Sequence, residues 1–197
     1  MTSQHTKNIL KVFALATQKE VQKGMSWYDV AKQDAIEISE FFEVPLSTVV
    51  GVMAGLSPNN RWYMNVKNAR DMVFAFTNGG SVESCKPSTY KTMRDKAWSI
   101  LEDVLVKDKE ILERLNGQKI RSFYSNIMGL DEVTIDGHAY NIARNLRVEL
   151  TDNSTSIGKR LYKELQGSYI NAAKKEGIEP RQMQAITWVT WKRIHNV

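Results

Sequence analysis

The run Leu115-Asn-Gly-Gln-Lys-Ile-Arg-Ser-Phe-Tyr124 and, after a short gap, Val133-Thr-Ile-Asp-Gly-His-Ala-Tyr-Asn-Ile-Ala143 decide the fold. Asn116-Gly117 is a tight-turn signal. Directly after it, Ile120, Phe123, Tyr124 and Ile127 fall at i, i+3, i+4 and i+7. That is the apolar stripe of a helix over Lys119–Met128, which Gly129 stops. Val133-Thr-Ile135 reads as a brief extended piece. Asp136 suits the N-cap of a helix over Gly137–Arg147, because its carboxylate can accept from free N–H groups of the first turn.

The same helical period extends in both directions. Toward the N-terminus the pattern predicts helices over Thr6–Lys23, with Gly24 as the stop, and from Ser26 to about Phe42. Leu46–Leu56 is apolar on most faces and belongs at the centre of a core. Ser57-Pro-Asn-Asn-Arg61 breaks the pattern, a helix follows over Trp62–Phe76, and Asn78-Gly-Gly80 ends it. Ser81–Thr89 is loop, Tyr90–Val104 is periodic again, and a short charged helix reaches Leu115. Toward the C-terminus a polar loop over Thr151–Ser156 precedes helices over Lys159–Glu176 and Pro180–His195. About ten helices and no strand make the expected class all-α.

The chain has 197 residues, enough for one ample core or for two small lobes. Its longest apolar stretches, such as Val49–Leu56, are far shorter than a membrane span. Met1–Lys7 lacks the charged-then-apolar pattern of a signal peptide. Cys85 is the single cysteine, and His5, His138 and His195 lie far apart in sequence, so neither a disulfide nor a cysteine–histidine zinc site is expected. The expectation is a cytoplasmic protein without metal or cofactor. A net charge of +5 suits a polyanionic partner, though many basic proteins never touch nucleic acid.

The chemistry-bearing residues cluster in the deciding stretch. Lys119 opens one helix and Asp136, 17 positions on, caps the next. An amine nucleophile needs a lowered pKa, from burial or from a cation such as Arg121. A carboxylate at a helix N-terminus stays ionised, which suits stabilising a sugar cation. The plainer readings are a solvated lysine and a purely structural cap.

The two segments resemble the signature of the helix-hairpin-helix DNA glycosylase superfamily, which includes endonuclease III and 8-oxoguanine glycosylase. Leu115-Asn-Gly117 stands where the family has its hairpin, and Val133-Thr-Ile-Asp-Gly-His138 where it has the aspartate segment. Ser57-Pro-Asn-Asn60 is similar to the Ser-x-Asn-Asn loop that in the family borders the extruded base. The resemblance covers about residues 46–147. It implies helices in two lobes around a cleft, with 46–147 as the glycosylase-like core and with 1–45 and 157–197 packing together as a second lobe of one compact unit. It implies Lys119 as nucleophile and Asp136 as the group that stabilises the sugar cation. The hairpin is shorter than the family's, and an ungapped alignment puts Arg121 on the lysine position. Arginine there excludes Schiff-base chemistry, because guanidinium stays protonated.

The further candidates take their roles beside that pair. His138 is structural, near the DNA backbone, or catalytic. Asn59, Asn60, Arg61 and Trp62 border the flipped base or contact phosphate, with Trp62 as core beneath the loop in the plainer reading. Gly117 and Gln118 belong to the DNA-gripping hairpin. Lys159 and Arg160 offer a phosphate contact or a solvated face. Trp188 and Trp191 are core, or else line a base pocket. The whole chain also resembles small phage proteins that share the Ser-Pro-Asn loop, the Asp-Gly-His segment and a closing Gln-Ala-x-x-Trp-x-x-Trp helix. The expected function is a monomeric DNA glycosylase/lyase. The alternatives are a phage enzyme of DNA base hypermodification and a non-catalytic DNA-binding or host-interaction protein.

Overall fold

The structure is a computed structural model, and it describes residues 2–148 and 157–197. The polar loop expected over Thr151–Ser156 lies outside the described residues. Among them the chain forms ten α-helices, one short 3-10 turn and no strand. The all-α class is therefore shown.

The helices are α1 (Gln4–Phe13), α2 (Gln18–Phe42), α3 (Leu46–Leu56), α4 (Trp62–Thr77), α5 (Lys91–Glu102), α6 (Asp108–Leu115), α7 (Gln118–Met128), α8 (Gly137–Arg144), α9 (Lys159–Glu176) and α10 (Pro180–His195). They divide into two compact units. The first joins Met1–Asp29 to Gly129–Val197, and the second is Val30–Met128.

The second unit is organised around α3. Every residue from Thr48 to Leu56 is buried, as expected for a helix apolar on most faces. Gly51 and Gly55 let neighbours approach closely. A Cβ on Gly51 would lie 2.8 Å from Ile111, and one on Gly55 would lie 3.2 Å from Ala97. Helices α4, α5, α6 and α7 pack around α3. The α5–α6 connection is tied down by hydroxyls of the first turn of α3: Ser47 donates to the Val106 carbonyl and Thr48 to that of Leu105.

The first unit packs α1, α8, α9 and α10 together. Its core includes Ile9, Ile135, Tyr162, Leu165, Tyr169, Met183 and Trp191. The expected extended piece Val133-Thr-Ile135 is buried without regular structure, and its Ile135 amide is held by the Tyr162 hydroxyl at 3.0 Å.

Three boundaries differ from the sequence pattern. The first break falls at Ala14–Thr17, not at Gly24. Thr17 and Glu20 make reciprocal capping bonds there, with the Thr17 amide donating to the Glu20 carboxylate at 2.8 Å and the Glu20 amide to the Thr17 hydroxyl at 3.3 Å. Gly24 lies inside α2 because α10 needs the space: a Cβ there would sit 2.5 Å from the Ile186 Cα. Helix α8 ends at Arg144, not Arg147, because Asn145 turns left-handed at φ 53°. Helix α5 ends at Glu102, two residues before the expected Val104, which itself sits left-handed at φ 51°.

Candidate functional site

The first unit gathers the richest set of polar and aromatic side chains. Asp136 is the N-cap of α8, as its sequence context predicts, with one carboxylate oxygen accepting from the Ala139 amide at 2.8 Å. The side chain is half-buried. Burial first, and the Asp136 charge in addition, push the Tyr28 and Tyr169 hydroxyls well above the usual phenol range. Both phenols therefore stay neutral donors: Tyr28 to Gln184 Oε1 at 2.8 Å and Tyr169 to the Ala139 carbonyl at 3.3 Å.

One face of α10 completes the group. Arg181, Gln184 and Trp188 recur at helical spacing, so their side chains point the same way. The N-terminal part of α2 runs alongside. Gly24 meets Ile186, the Met25 carbonyl accepts from Gln182 at 3.3 Å, and Arg193 clasps Glu20 at 2.6 Å. This contact sets Trp27 and Tyr28 against α10. Trp27 stands edge-on to Trp188 with ring centres 6.2 Å apart, and so does His138. The Lys192 ammonium lies over the Trp188 ring, 4.5 Å from its centre. The two tryptophans thus have different roles. Trp191 is buried in the core, while Trp188 is half-buried among Trp27, His138 and Lys192. A cluster of indole and imidazole rings can hold a planar ligand, and a carboxylate can stabilise positive charge.

The remaining candidates lie in the second unit. Lys119 and Arg121 are both exposed in the first turns of α7. Two residues apart, they project from different faces of the helix. In the preceding turn, Asn116 is left-handed at φ 48° and the Gly117 carbonyl accepts from the Arg121 amide at 2.8 Å. Lys96 donates to the Leu115 carbonyl at 2.8 Å, so a lysine from α5 caps the end of α6. Gln118 is half-buried.

The Asn-Asn loop separates into two roles. Asn60 donates its side chain to the Leu56 carbonyl at 3.3 Å and so closes the end of α3. Asn59 is exposed and left-handed at φ 54°, a conformation that asparagine tolerates. Arg61 is the exposed N-cap residue of α4. Trp62 is half-buried, donates its indole N–H to Asp34 at 2.8 Å and meets Phe123 edge-on. Lys159 and Arg160 are exposed in the first turn of α9.

Sequence reading did not select Trp27, Tyr28 or Gln184. Tyr28 and Gln184 are hidden among the buried positions of long amphipathic helices. The one signal available was a glutamine at an inward position of α10, between Met183 and Ala185.

Among the described residues no group of three or more histidine, cysteine, aspartate or glutamate side chains could hold a metal ion, and no helix is long and apolar enough to cross a membrane. The chain belongs to a family described as "Family of unknown function (DUF7178)", whose model matches residues 1–195. Neither a curated protein nor a solved structure matches it.

Proposed function

We propose that this DUF7178 member removes a modified or damaged base from DNA, with Asp136 stabilising the sugar cation that forms as the glycosidic bond breaks. The observation that carries the reading is the half-buried Asp136 carboxylate at the N-terminus of α8, the helix whose His138 ring meets Trp188 edge-on. Enzymes that act on a base take it out of the stack and hold it against aromatic or apolar side chains. The C1′–N bond breaks and the base departs with the bonding electrons. The cationic C1′ is then captured by water, whose proton passes to solvent through the Asp136 carboxylate, or by an amine. Asn59 and Arg61 are the proposed contacts to the vacated stack and the backbone. Trp62 and Gln118 are half-buried further candidates for those contacts, and Asn60 and Gly117 belong to the two turns.

The lysine step is a separate proposal. If Lys119 is the amine that attacks C1′, a Schiff base forms and strand cleavage can follow. The exposure of Lys119 favours a second version, in which water is the nucleophile and no covalent adduct forms. A panel of duplex oligonucleotides, each carrying one damaged or modified base, tests both. Base release by the wild type and its loss in Asp136→Asn support the main reading; release that survives Asp136→Asn contradicts it. Borohydride trapping of a protein–DNA adduct, lost in Lys119→Gln, supports the lysine step. Base release without an adduct assigns the reaction to water.

A further inference from the structure

We infer that the exposed face shared by the C-terminal part of α2 and the middle of α4 is a two-fold interface between two copies of this chain. The face lies within the second unit, and the inference is independent of the Asp136 reading.

Phe41 on α2 and Phe74 on α4 are 67% and 56% exposed. They are not isolated. The Phe42 ring meets both edge-on, with centres 4.7 Å from that of Phe41 and 6.2 Å from that of Phe74. Contiguous phenyl rings at a surface mark an interaction site, as scattered single side chains do not. The charges beside them are sorted by sign. On α2, Glu37 lies three residues before Glu40 and four before Phe41, so these side chains adjoin. On α4, Arg70 lies three residues after Lys67 and four before Phe74. All six side chains are exposed. Among the described residues, Glu37, Glu40 and Arg70 form no ion pair. The Arg70 guanidinium lies over the Phe41 ring, 5.0 Å from its centre, which leaves N–H groups available for a carboxylate. Lys67 holds Asp71 in an exposed pair, which contributes little.

This arrangement selects the occupant. A nucleic acid or an acidic protein would meet two unpaired carboxylates, and a basic protein would meet Lys67 and Arg70. The face needs a partner that offers apolar rings and both signs of charge in the reverse order. A second copy related by a two-fold axis offers both, because α2 of each copy then lies along α4 of the other. Glu37 and Glu40 of one chain meet Arg70 and Lys67 of the partner subunit, and the same contact recurs on the other side of the axis. Phenyl rings from both chains fill the centre. The face spans only a few helical turns, so the contact is small for a specific interface and the dimer is reversible. The expected monomer is then its dilute state.

Sedimentation velocity over a concentration series reads the association of the full chain. The wild type should pass from one chain to two as concentration rises, and stop at two. Phe41→Ser should weaken the dimer about a hundredfold, since each dimer buries that ring twice. Arg70→Glu and Glu37→Arg should each weaken it about tenfold, because each sets like charges face to face twice. An equimolar mixture of these two variants restores opposite charges on both sides of the axis, and it should dimerise as well as the wild type. All three positions are exposed, and the charge variants provide the test if Phe41→Ser fails to fold. A wild type that stays a single chain, a mass that grows past two chains, a dimer unaffected in folded Phe41→Ser, or a mixture that pairs no better than its components would overturn the inference. So would a single chain whose Phe41 crosslinks to single-stranded DNA under ultraviolet light, which would give the face to nucleic acid.

Discussion

Exchange of glycine for alanine at two helical positions should have opposite effects. In a helix interior alanine is favoured over glycine by about 1 kcal/mol. Gly167 lies inside α9 with nothing within 4 Å of the place its Cβ would occupy, so Gly167→Ala should gain about that amount. Gly24 lies inside α2, where a Cβ would be 2.5 Å from the Ile186 Cα and Cγ1 and 2.6 Å from its amide nitrogen. Carbon atoms pack at about 3.5–4.0 Å, so α10 must retreat locally by about 1 Å. The Ile186 side chain can turn aside, but its backbone cannot. Overpacking of this kind costs roughly 1–3 kcal/mol. The same retreat strains the Tyr28–Gln184 bond, which contributes about another 1 kcal/mol. After the propensity gain, Gly24→Ala should lose roughly 2 kcal/mol, about 3 below Gly167→Ala. Urea unfolding followed by far-UV circular dichroism reads both midpoints. A Gly24→Ala protein as stable as the wild type, or more stable, would refute the close crossing of α2 and α10 on which the placement of Trp27 and Tyr28 depends.

Three further outcomes follow from particular residues. Val104 is 67% exposed at φ 51°, a conformation costly for a β-branched side chain, so Val104→Gly should raise the thermal midpoint by relieving about 1 kcal/mol of strain. The Arg193 guanidinium, helped by the Thr17 amide and hydroxyl, lowers the Glu20 carboxyl from 4.5 to about 2. A lowered folded-state value means that Glu20 stabilises fully above about pH 4.5 and loses its contribution as the pH falls toward 2. Thermal midpoints measured from pH 6 to pH 2 should therefore drop less steeply in Glu20→Gln than in the wild type. At Asp136, asparagine can still cap α8 and alanine cannot, so Asp136→Ala should cost about 1 kcal/mol of stability and Asp136→Asn much less. Comparable urea midpoints for wild type and Asp136→Asn would show that any lost activity reflects charge, not folding.

The local elements were legible in the sequence where one residue type carries one physical role. Asp136 reads as a cap because a carboxylate before Gly-His-Ala has little else to do locally. The stripe Ile120, Phe123, Tyr124, Ile127 reads as α7 because its period is unambiguous. The first break was misread because glycine carries two meanings, a helix stop and a close helix approach. The capping pair Thr17 and Glu20 was the better signal. Val104 escaped because a β-branched residue in a left-handed turn contradicts local preference. The amides of Val104 and Leu105, donating back to the Leu101 and Ile100 carbonyls, close the helix end around it, and the Ser47 and Thr48 hydroxyls hold the next two carbonyls. Trp27, Tyr28 and Gln184 escaped because their meaning is tertiary. Nothing in the local pattern pairs a tyrosine on α2 with a glutamine 156 positions away.

The most direct test of the central claim is the mass of a duplex oligonucleotide carrying a single modified base, measured before and after incubation with the purified protein. Base removal predicts that the modified strand loses the mass of the free base and gains that of one water, or is cut at that position, and that Asp136→Asn leaves it intact. A strand that gains mass at the base, or one that stays unchanged across the panel of substrates while still bound by the protein, would contradict it.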